Sequence, residues 1–388
     1  MALGKNFEFV TSERIVFGNG TVAQVKESAQ EFGQKVLLVC GSGSVPIDKL
    51  INFLEEGDLT YEIFRVEGEP NISTIEDGLS RARSTGSSFV IGYGGGSVLD
   101  TAKAISAMMT NPGELMDYLE VIGRGKKIVN LPAPMIAIPT TAGTGTEVTR
   151  NAVIASEVHH VKVSMRSPMM IPKLAIVDPE LTITMPPSVT ASTGMDALTQ
   201  VIEGYVSNKA NPMTDALAKE GIIRGSRALL NAYQNGNDLQ ARYDMSLTSL
   251  FGGIVLGNSG LGAVHGFAGP IGGMFNAPHG VICASLLPAV MKYNALEISQ
   301  RGDMEVVQKK FIEIAQWITG KPDASINEGI AWIENLARQL NIPGLKAIGI
   351  KKSDFGSIIE KASISSSMQK NPVKLDTDSL LLILEEAY

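Results

Sequence analysis

Through the first half of the chain, short apolar runs alternate with stretches of helical period. Residues 35–40 (KVLLVC), 61–66 (YEIFRV), 88–93 (SFVIGY), 134–139 (PMIAIP) and 173–178 (KLAIVD) predict strands. Ser73 with Glu76 three residues on has capping-box spacing and opens a predicted helix. Another helix, through Asp100, Lys103 and Ile105, follows the turn Gly94-Gly95-Gly96-Ser97. Strands that alternate with helices across short glycine-rich turns predict βαβ units and a parallel sheet. The pattern changes near Met185-Pro186-Pro187. Beyond it strand-like runs almost vanish, and helical period dominates 215–230, 239–255, 304–318, 327–340 and 376–387. Glycine and proline clusters at 252–280 predict an interruption there. The chain thus reads as an α/β domain with a parallel sheet over 1–184, followed by an all-α domain over 185–388.

A length of 388 residues suits two or three domains, and 44% apolar residues with 19% charged can bury a large core. Net charge is −7 with no block of like charge, so no nucleic-acid face is expected. The first residues lack the apolar core of a signal peptide, and no uncharged apolar run reaches about 18 residues. No membrane association is expected, and the cytoplasm is the expected location. The two cysteines, Cys40 and Cys283, sit in apolar runs and read as buried thiols of a reducing compartment. The four histidines are few enough for their positions to carry information: His159, His160, His265 and His279.

Three turns offer ligand chemistry. In Gly92-x-Gly94-x-x-Ser97 the spacing nearly matches the dinucleotide fingerprint, with serine in place of its last glycine. Small residues admit a pyrophosphate to the backbone, and the N–H groups opening the next helix face the anion. A tight strand–helix turn without a ligand fits the same residues. The second turn, Thr140-Thr141-Ala142-Gly143-Thr144-Gly145-Thr146, supplies hydroxyl and N–H donors without charge. The third is Gly41-Ser42-Gly43-Ser44. Turns at the carboxyl ends of parallel strands share one edge, where such folds bind ligands. Asn71 and Asp100 are counted with these turns as candidate cofactor contacts.

The helical half carries a candidate metal constellation. Asp196 and Gln200, at i and i+4 in TGMDALTQ, share a helix face at a predicted helix start. His265 and His279 would lie about 21 Å apart on one straight helix, too far to share an ion. Pro270, Gly272, Gly273 and Pro278 break the chain between them, so both could turn towards one point. A carboxylate and two imidazoles leave the open position a catalytic metal needs. A helix-start aspartate and hydrogen-bonded core histidines would fit the same residues. His159-His160 read as an exposed turn pair, without a partner carboxylate.

These segments resemble the iron-containing, group III alcohol dehydrogenases over nearly the whole chain. The likeness lies in GYGGGSVLDTAKAI (92–105), PTTAGTGTEVT (139–149), KVSMRSPMMIPKLAIVDPELT (162–182), TGMDALTQVIEGYVS (193–207) and VHGFAGPIGGMFNAPHG (264–280). The resemblance implies a dehydroquinate synthase-like architecture with an active site between a dinucleotide-binding, Rossmann-like α/β domain and a helical, metal-binding domain, and a homodimer or higher homo-oligomer. It implies hydride transfer between an alcohol and an aldehyde or ketone, with NAD(P)(H) and a divalent metal, Fe2+ or Zn2+. Gly95, Gly96 and Ser97 match the family's pyrophosphate loop, and Thr140, Thr141 and Thr144 its second cofactor turn. Asn151 and Lys162 fall near the nicotinamide ribose, which makes Lys162 a candidate catalytic residue too. Asp196, His265 and His279 match three metal ligands.

Three departures from the family pattern stand out. Gln200 replaces a histidine ligand, and a neutral amide oxygen favours zinc, or a vacant site, over iron. Gly269 replaces a further histidine associated with proton transfer. Gly41, with Ser42 beside it, replaces an aspartate that holds the adenosine ribose. Loss of that carboxylate points to NADP(H), although no arginine adjoins Gly41 in the sequence. Maleylacetate reductase-like and dehydroquinate synthase-like activities share the implied fold. No Lys or Arg occurs over 188–208 or 258–285, however, which disfavours an anionic substrate held there. A metal-free nucleotide-binding protein with a decayed site is the remaining alternative. Phe251, Phe267 and Met274 hint at an uncharged, partly apolar substrate or simply belong to the core.

Overall fold

The computed structural model describes residues 6–42, 46–159, 161–275 and 277–388. Gly43, Ser44 and His160 therefore lie outside the described residues. The chain forms two compact units. One comprises Val10–Thr141 and Gly145–Thr184; the other comprises Met185–Tyr388, Ala142–Thr144 and residues 6–9.

The first unit is built on strands β1 (Arg14–Phe17), β2 (Lys35–Gly41), β3 (Thr60–Val66), β4 (Phe89–Gly94), β5 (Met135–Pro139), β6 (Asn151–Ser156), β7 (Val161–Arg166) and β8 (Leu174–Val177). Six of them form a parallel sheet in the order β1-β8-β5-β4-β2-β3, while β6 and β7 make a separate antiparallel pair. The sheet is apolar on both faces, as parallel sheets covered by helices must be. Leu37, Val39, Val90, Met135 and Ala137 enter one core, whereas Val36, Leu38, Ile91, Ile136 and Ile138 enter the other. That alternation is the two-residue period of a strand.

Helices α1 (Val25–Gln30), α2 (Asp48–Glu56), α3 (Ile72–Thr85) and α4 (Gly96–Thr110) belong to this unit. Helix α3 starts earlier than the predicted Ser73 box. The Asn71 side chain caps it, accepting from Thr74 N at 2.8 Å and from the Ser73 and Thr74 hydroxyls at 2.9 Å. Three donors on one carboxamide oxygen outcompete a serine cap.

The second unit holds α5 (Pro187–Val206), α6 (Pro212–Gln234), α7 (Leu239–Ser259), α8 (Ala263–Phe275), α9 (His279–Ser299), α10 (Glu305–Thr319), α11 (Ile326–Gln339), α12 (Phe355–Ser363) and α13 (Thr377–Glu386). Helix α5 is buried continuously from Gly194 to Val206 and packs against α6, α7 and α9. It opens on Pro187, a favoured first-turn residue, so Asp196 lies well inside the helix rather than at its start. The expected interruption at 252–280 is present but narrower: α7 runs on to Ser259 and α8 continues through Pro270, with helix giving way at 260–262 and again at 277–278. Burial among neighbouring helices outweighs the weak propensity of glycine there. The chain bends by 98° between α7 and α8, ahead of His265, and the turn that brings His265 and His279 together is the junction of α8 and α9, beside Pro278. Helix α9 is by itself long and apolar enough to cross a membrane, but Ile282, Leu286, Leu287 and Val290 lie in the protein core.

Candidate metal centre

Three helices of the second unit bring four donor side chains together. Asp196 projects from α5, His265 from the first turn of α8, and His279 is the first residue of α9. Cys283 follows His279 by one helical turn and so shares its face. His265 Nε2 lies 3.2 Å from Asp196 Oδ1, and His279 Nε2 lies 3.8 Å from the same oxygen. Cys283 Sγ is 3.6 Å from His279 Nε2 and 3.8 Å from His265 Nε2. One ligand atom from each of the four falls within 4.8 Å of the others. Asp196, His265 and Cys283 are buried, while the His279 side chain is 40% exposed, so the cluster opens on that side.

This convergence depends on a close approach of α9 to α5. A Cβ on Gly280 would lie 2.4 Å from the Ser192 carbonyl oxygen, so only glycine lets His279 come so near the Asp196 helix. His265 is oriented from its other nitrogen. Glu203, almost two turns beyond Asp196 on α5, faces His265 Nδ1 at 2.7 Å through Oε2 and accepts from Val264 N at 2.7 Å through Oε1. The carboxylate therefore caps the start of α8, where the helix dipole favours an anion. It also places a proton on Nδ1 and leaves the Nε2 lone pair aimed into the cluster, an arrangement typical of metal-ligating histidines.

Electrostatics agree with a site built for a cation. Without one, burial acts against the charge of Asp196, but the imidazoles of His279 and His265 hold its carboxyl below the ordinary range. Burial likewise opposes a charged His279, but interactions with Cys283 and the Asp196 carboxylate outweigh it and lift the imidazole to about 9. His265 moves in the same direction, drawn by Cys283, Asp196 and Glu203 against its burial. Negative potential of this kind favours a divalent ion as much as protons.

Gln200 is placed differently from the other expected ligands. Its Nε2 donates to the Thr144 carbonyl at 3.3 Å, while the buried Oε1 accepts no hydrogen bond. That oxygen lies 2.8 Å from where a Cβ on Gly252 of α7 would stand. Phe267 is wholly buried in the core and is no pocket wall; Phe251 and Met274 pack beside that core.

In the α/β unit, the register sets the ends of β2, β4 and β5 side by side, with Cys40 opposite Tyr93 and Gly94 opposite Pro139. The turns beginning at Gly41, Gly95 and Thr140 thus share one sheet edge. Thr140 N donates to the Gly94 carbonyl at 3.0 Å, and a Cβ on Gly95 would meet the Thr141 side chain at 3.3 Å. Gly96 and Ser97 open α4 with free N–H groups. Other candidate cofactor contacts have structural partners. Asp100 Oδ2 accepts from Val153 N at 2.9 Å, and its Oδ1 lies 3.2 Å from Lys103 Nζ. The Asn151 carbonyl accepts from Lys103 Nζ, Asn71 caps α3, and Lys162 on β7 pairs with Glu69 at 3.2 Å. His159 lies exposed in the β6–β7 turn, its ring 2.9 Å from the Ser156 hydroxyl.

Sequence reasoning missed three residues of these sites. Cys283 had a usable signal, its i+4 spacing from His279. Glu203 had another, a carboxylate seven residues beyond Asp196, the two being the only charged residues of that helix. Arg65 had none. It is brought beside Gly41 by β2–β3 pairing, and its Nη1 donates to the Gly41 carbonyl at 3.4 Å.

A Rossmann-like parallel sheet joined in one chain to a helical unit with a carboxylate, imidazole and thiol donor set defines a class of metal-binding oxidoreductases. The chain belongs to the iron-containing alcohol dehydrogenase family: the model described as iron-containing alcohol dehydrogenase matches residues 12–179, and that of the family's C-terminal region matches residues 190–388. It is 35% identical to Alcohol dehydrogenase 4 of Saccharomyces cerevisiae over 378 residues, covering 96% of each chain. A crystal structure of 1,3-propanediol oxidoreductase is 34% identical with a TM-score of 0.92, over 99% of this chain and all of that one. Sulfoacetaldehyde reductase from Bifidobacterium kashiwanohense, solved in complex with NAD+, is 25% identical with a TM-score of 0.88, over 99% of both chains.

Proposed function

We propose that this alcohol dehydrogenase transfers hydride between a small uncharged alcohol or aldehyde and NADP(H), with Asp196, His265 and His279 holding a divalent metal. The observation that carries this reading is the meeting of those three side chains from three helices, with Glu203 fixing the His265 tautomer. Bound there, the metal supplies Lewis-acid polarisation of the substrate oxygen, and the nicotinamide supplies or takes the hydride. The chain's own residues bind, orient and shield. The Gly95–Ser97 turn presents N–H groups to the pyrophosphate, and the threonine turn beside it offers hydroxyls to ribose and phosphate oxygens. Glu203 keeps the His265 proton on Nδ1. Lys162, neutralised by Glu69, is a candidate for holding the nicotinamide ribose. An uncharged substrate is favoured because the segments bearing the donor set contain no Lys or Arg over 188–208 or 258–285.

The NADP(H) preference rests on Gly41 and Arg65. A glycine where a carboxylate would repel a 2′-phosphate, with an exposed guanidinium beside it, is the arrangement that accepts that phosphate. Both cysteines are free and buried, which suits a reducing compartment such as the cytoplasm.

The test combines metal analysis with turnover of short-chain alcohols and aldehydes, NADH and NADPH in parallel. NADPH should support the higher kcat/KM, and Arg65→Ser should lower it about tenfold, the worth of one charge-assisted hydrogen bond, while sparing NADH. Equal loss with both cofactors would refute the Arg65 role. No turnover by iron- or zinc-loaded protein would refute the dehydrogenase reading.

A further inference from the structure

We propose that Cys283, as its thiolate, is the fourth protein ligand of the metal, giving an Asp–His–His–Cys site in place of one completed by Gln200. The inference rests on the metal-dependent reading above and concerns how the ion is held.

Geometry carries it. With metal–ligand distances of about 2.0–2.3 Å, a tetrahedral ion sets a sulfur and an imidazole nitrogen about 3.6 Å apart, and a nitrogen and a carboxylate oxygen about 3.3 Å apart. The two Sγ–Nε2 separations are 3.6 and 3.8 Å, and the two Nε2–Oδ1 separations are 3.2 and 3.8 Å. These four separations stand within about 0.5 Å of tetrahedral edges, and all four atoms lie within 4.8 Å of one another. On closing round an ion, the edges at 3.8 Å would narrow, and the other two would stay almost unchanged.

The placement of Cys283 is rigid. It lies one turn after His279 on α9, so both ligands are presented by one helix face, and it is fully buried among core residues. Gln200 offers the contrary picture. Its amide nitrogen is engaged by the Thr144 carbonyl, and its oxygen lies against Gly252 on α7. The thiol stands among the other three donors, whereas the Gln200 amide is tied through its nitrogen to Thr144.

Chemistry follows from the exchange. A thiolate with Asp196 brings two negative charges to a divalent ion, where an amide would leave one. Soft sulfur ligation favours zinc over iron(II) at such a site. The partly exposed His279 side leaves room for a substrate oxygen as a fifth ligand, as catalytic zinc sites allow.

Cobalt(II) tests this, because a thiolate ligand gives cobalt a near-ultraviolet charge-transfer band that N and O ligands do not. Chelator-stripped protein is loaded with one equivalent of Co2+, and its spectrum and turnover are recorded. Wild type and Cys40→Ser should show the band; Cys283→Ser should lose it and bind cobalt at least about tenfold more weakly in competition with a chromophoric chelator. Wild type that binds cobalt and turns over alcohol without the band overturns the thiolate ligand and leaves the dehydrogenase reading standing. Wild type that binds no cobalt overturns both. The wild-type spectrum decides even if the serine variant fails to fold. If that variant folds with unchanged band and affinity, the proposal falls.

Discussion

Replacing Glu203 with glutamine separates its two tasks. The carboxylate accepts two close hydrogen bonds, each at 2.7 Å, one from a backbone N–H and one shared with an imidazole nitrogen. Glutamine keeps one oxygen and turns the other into a donor, so one of the two partners must face an NH2 group. The Val264 backbone N–H cannot change its proton, but the imidazole can. The amide oxygen should therefore stay on Val264, and His265 should move its proton to Nε2, where Asp196 Oδ1 stands 3.2 Å away to accept it. The metal-free fold then loses only the longer 3.4 Å bond from His265 N to Glu203 Oε2, and the main loss falls on metal binding, which needs the Nε2 lone pair. Removal of an outer partner of a ligating histidine weakens metal affinity about 10–100-fold, or about 1.4–2.7 kcal/mol. Chelator competition measures the affinity, and thermal melting of the stripped protein measures the fold. An unchanged metal affinity with a lowered melting temperature would refute the argument and reduce Glu203 to a helix cap.

Gly280→Ala should push the start of α9 away from α5, because its Cβ would lie 2.4 Å from a backbone oxygen that cannot rotate aside. Metal affinity in the same competition should fall at least about tenfold, by the loss of ligand orientation, and wild-type affinity would contradict the close approach. Glu147 gives a pH signature in the other unit. Burial lifts its carboxyl from 4.5 to about 7, so the folded chain binds the proton more tightly than the unfolded one. Its contribution is complete below the unfolded value of 4.5, declines as pH rises, and is gone above about 7, a change of at most about 3 kcal/mol. Denaturant unfolding across that window should show a slope that Glu147→Gln flattens; equal slopes would refute the buried-acid assignment.

Much of the fold was legible along the chain. The strands 35–40, 88–93 and 134–139 were readable because their apolar runs are buried on both faces of the sheet, and the change to helices near Met185 because periodicity changes with it. The short β1 was missed, since one exposed and three half-buried residues leave almost no pattern. The 252–280 stretch is broken, as its glycines and prolines suggest, but only at short junctions, because the glycines and Pro270 within α7 and α8 are tolerated by packing that local propensity does not record.

The residue types for a carboxylate–imidazole site, and their order, were set by sequence alone, as were the glycine turns on the sheet edge. Which side chains meet was decided by tertiary structure. Asp196 and His265 are 69 positions apart, separated by the rest of α5 and all of α6 and α7, and angstrom-scale separations there follow from contacts such as Gly280 against Ser192. The same holds for Cys283 among the imidazoles and Arg65 beside Gly41. Periodicity fixes a residue's face within its own element, but the neighbour across that face depends on how separate elements dock, and that information is spread over the whole core.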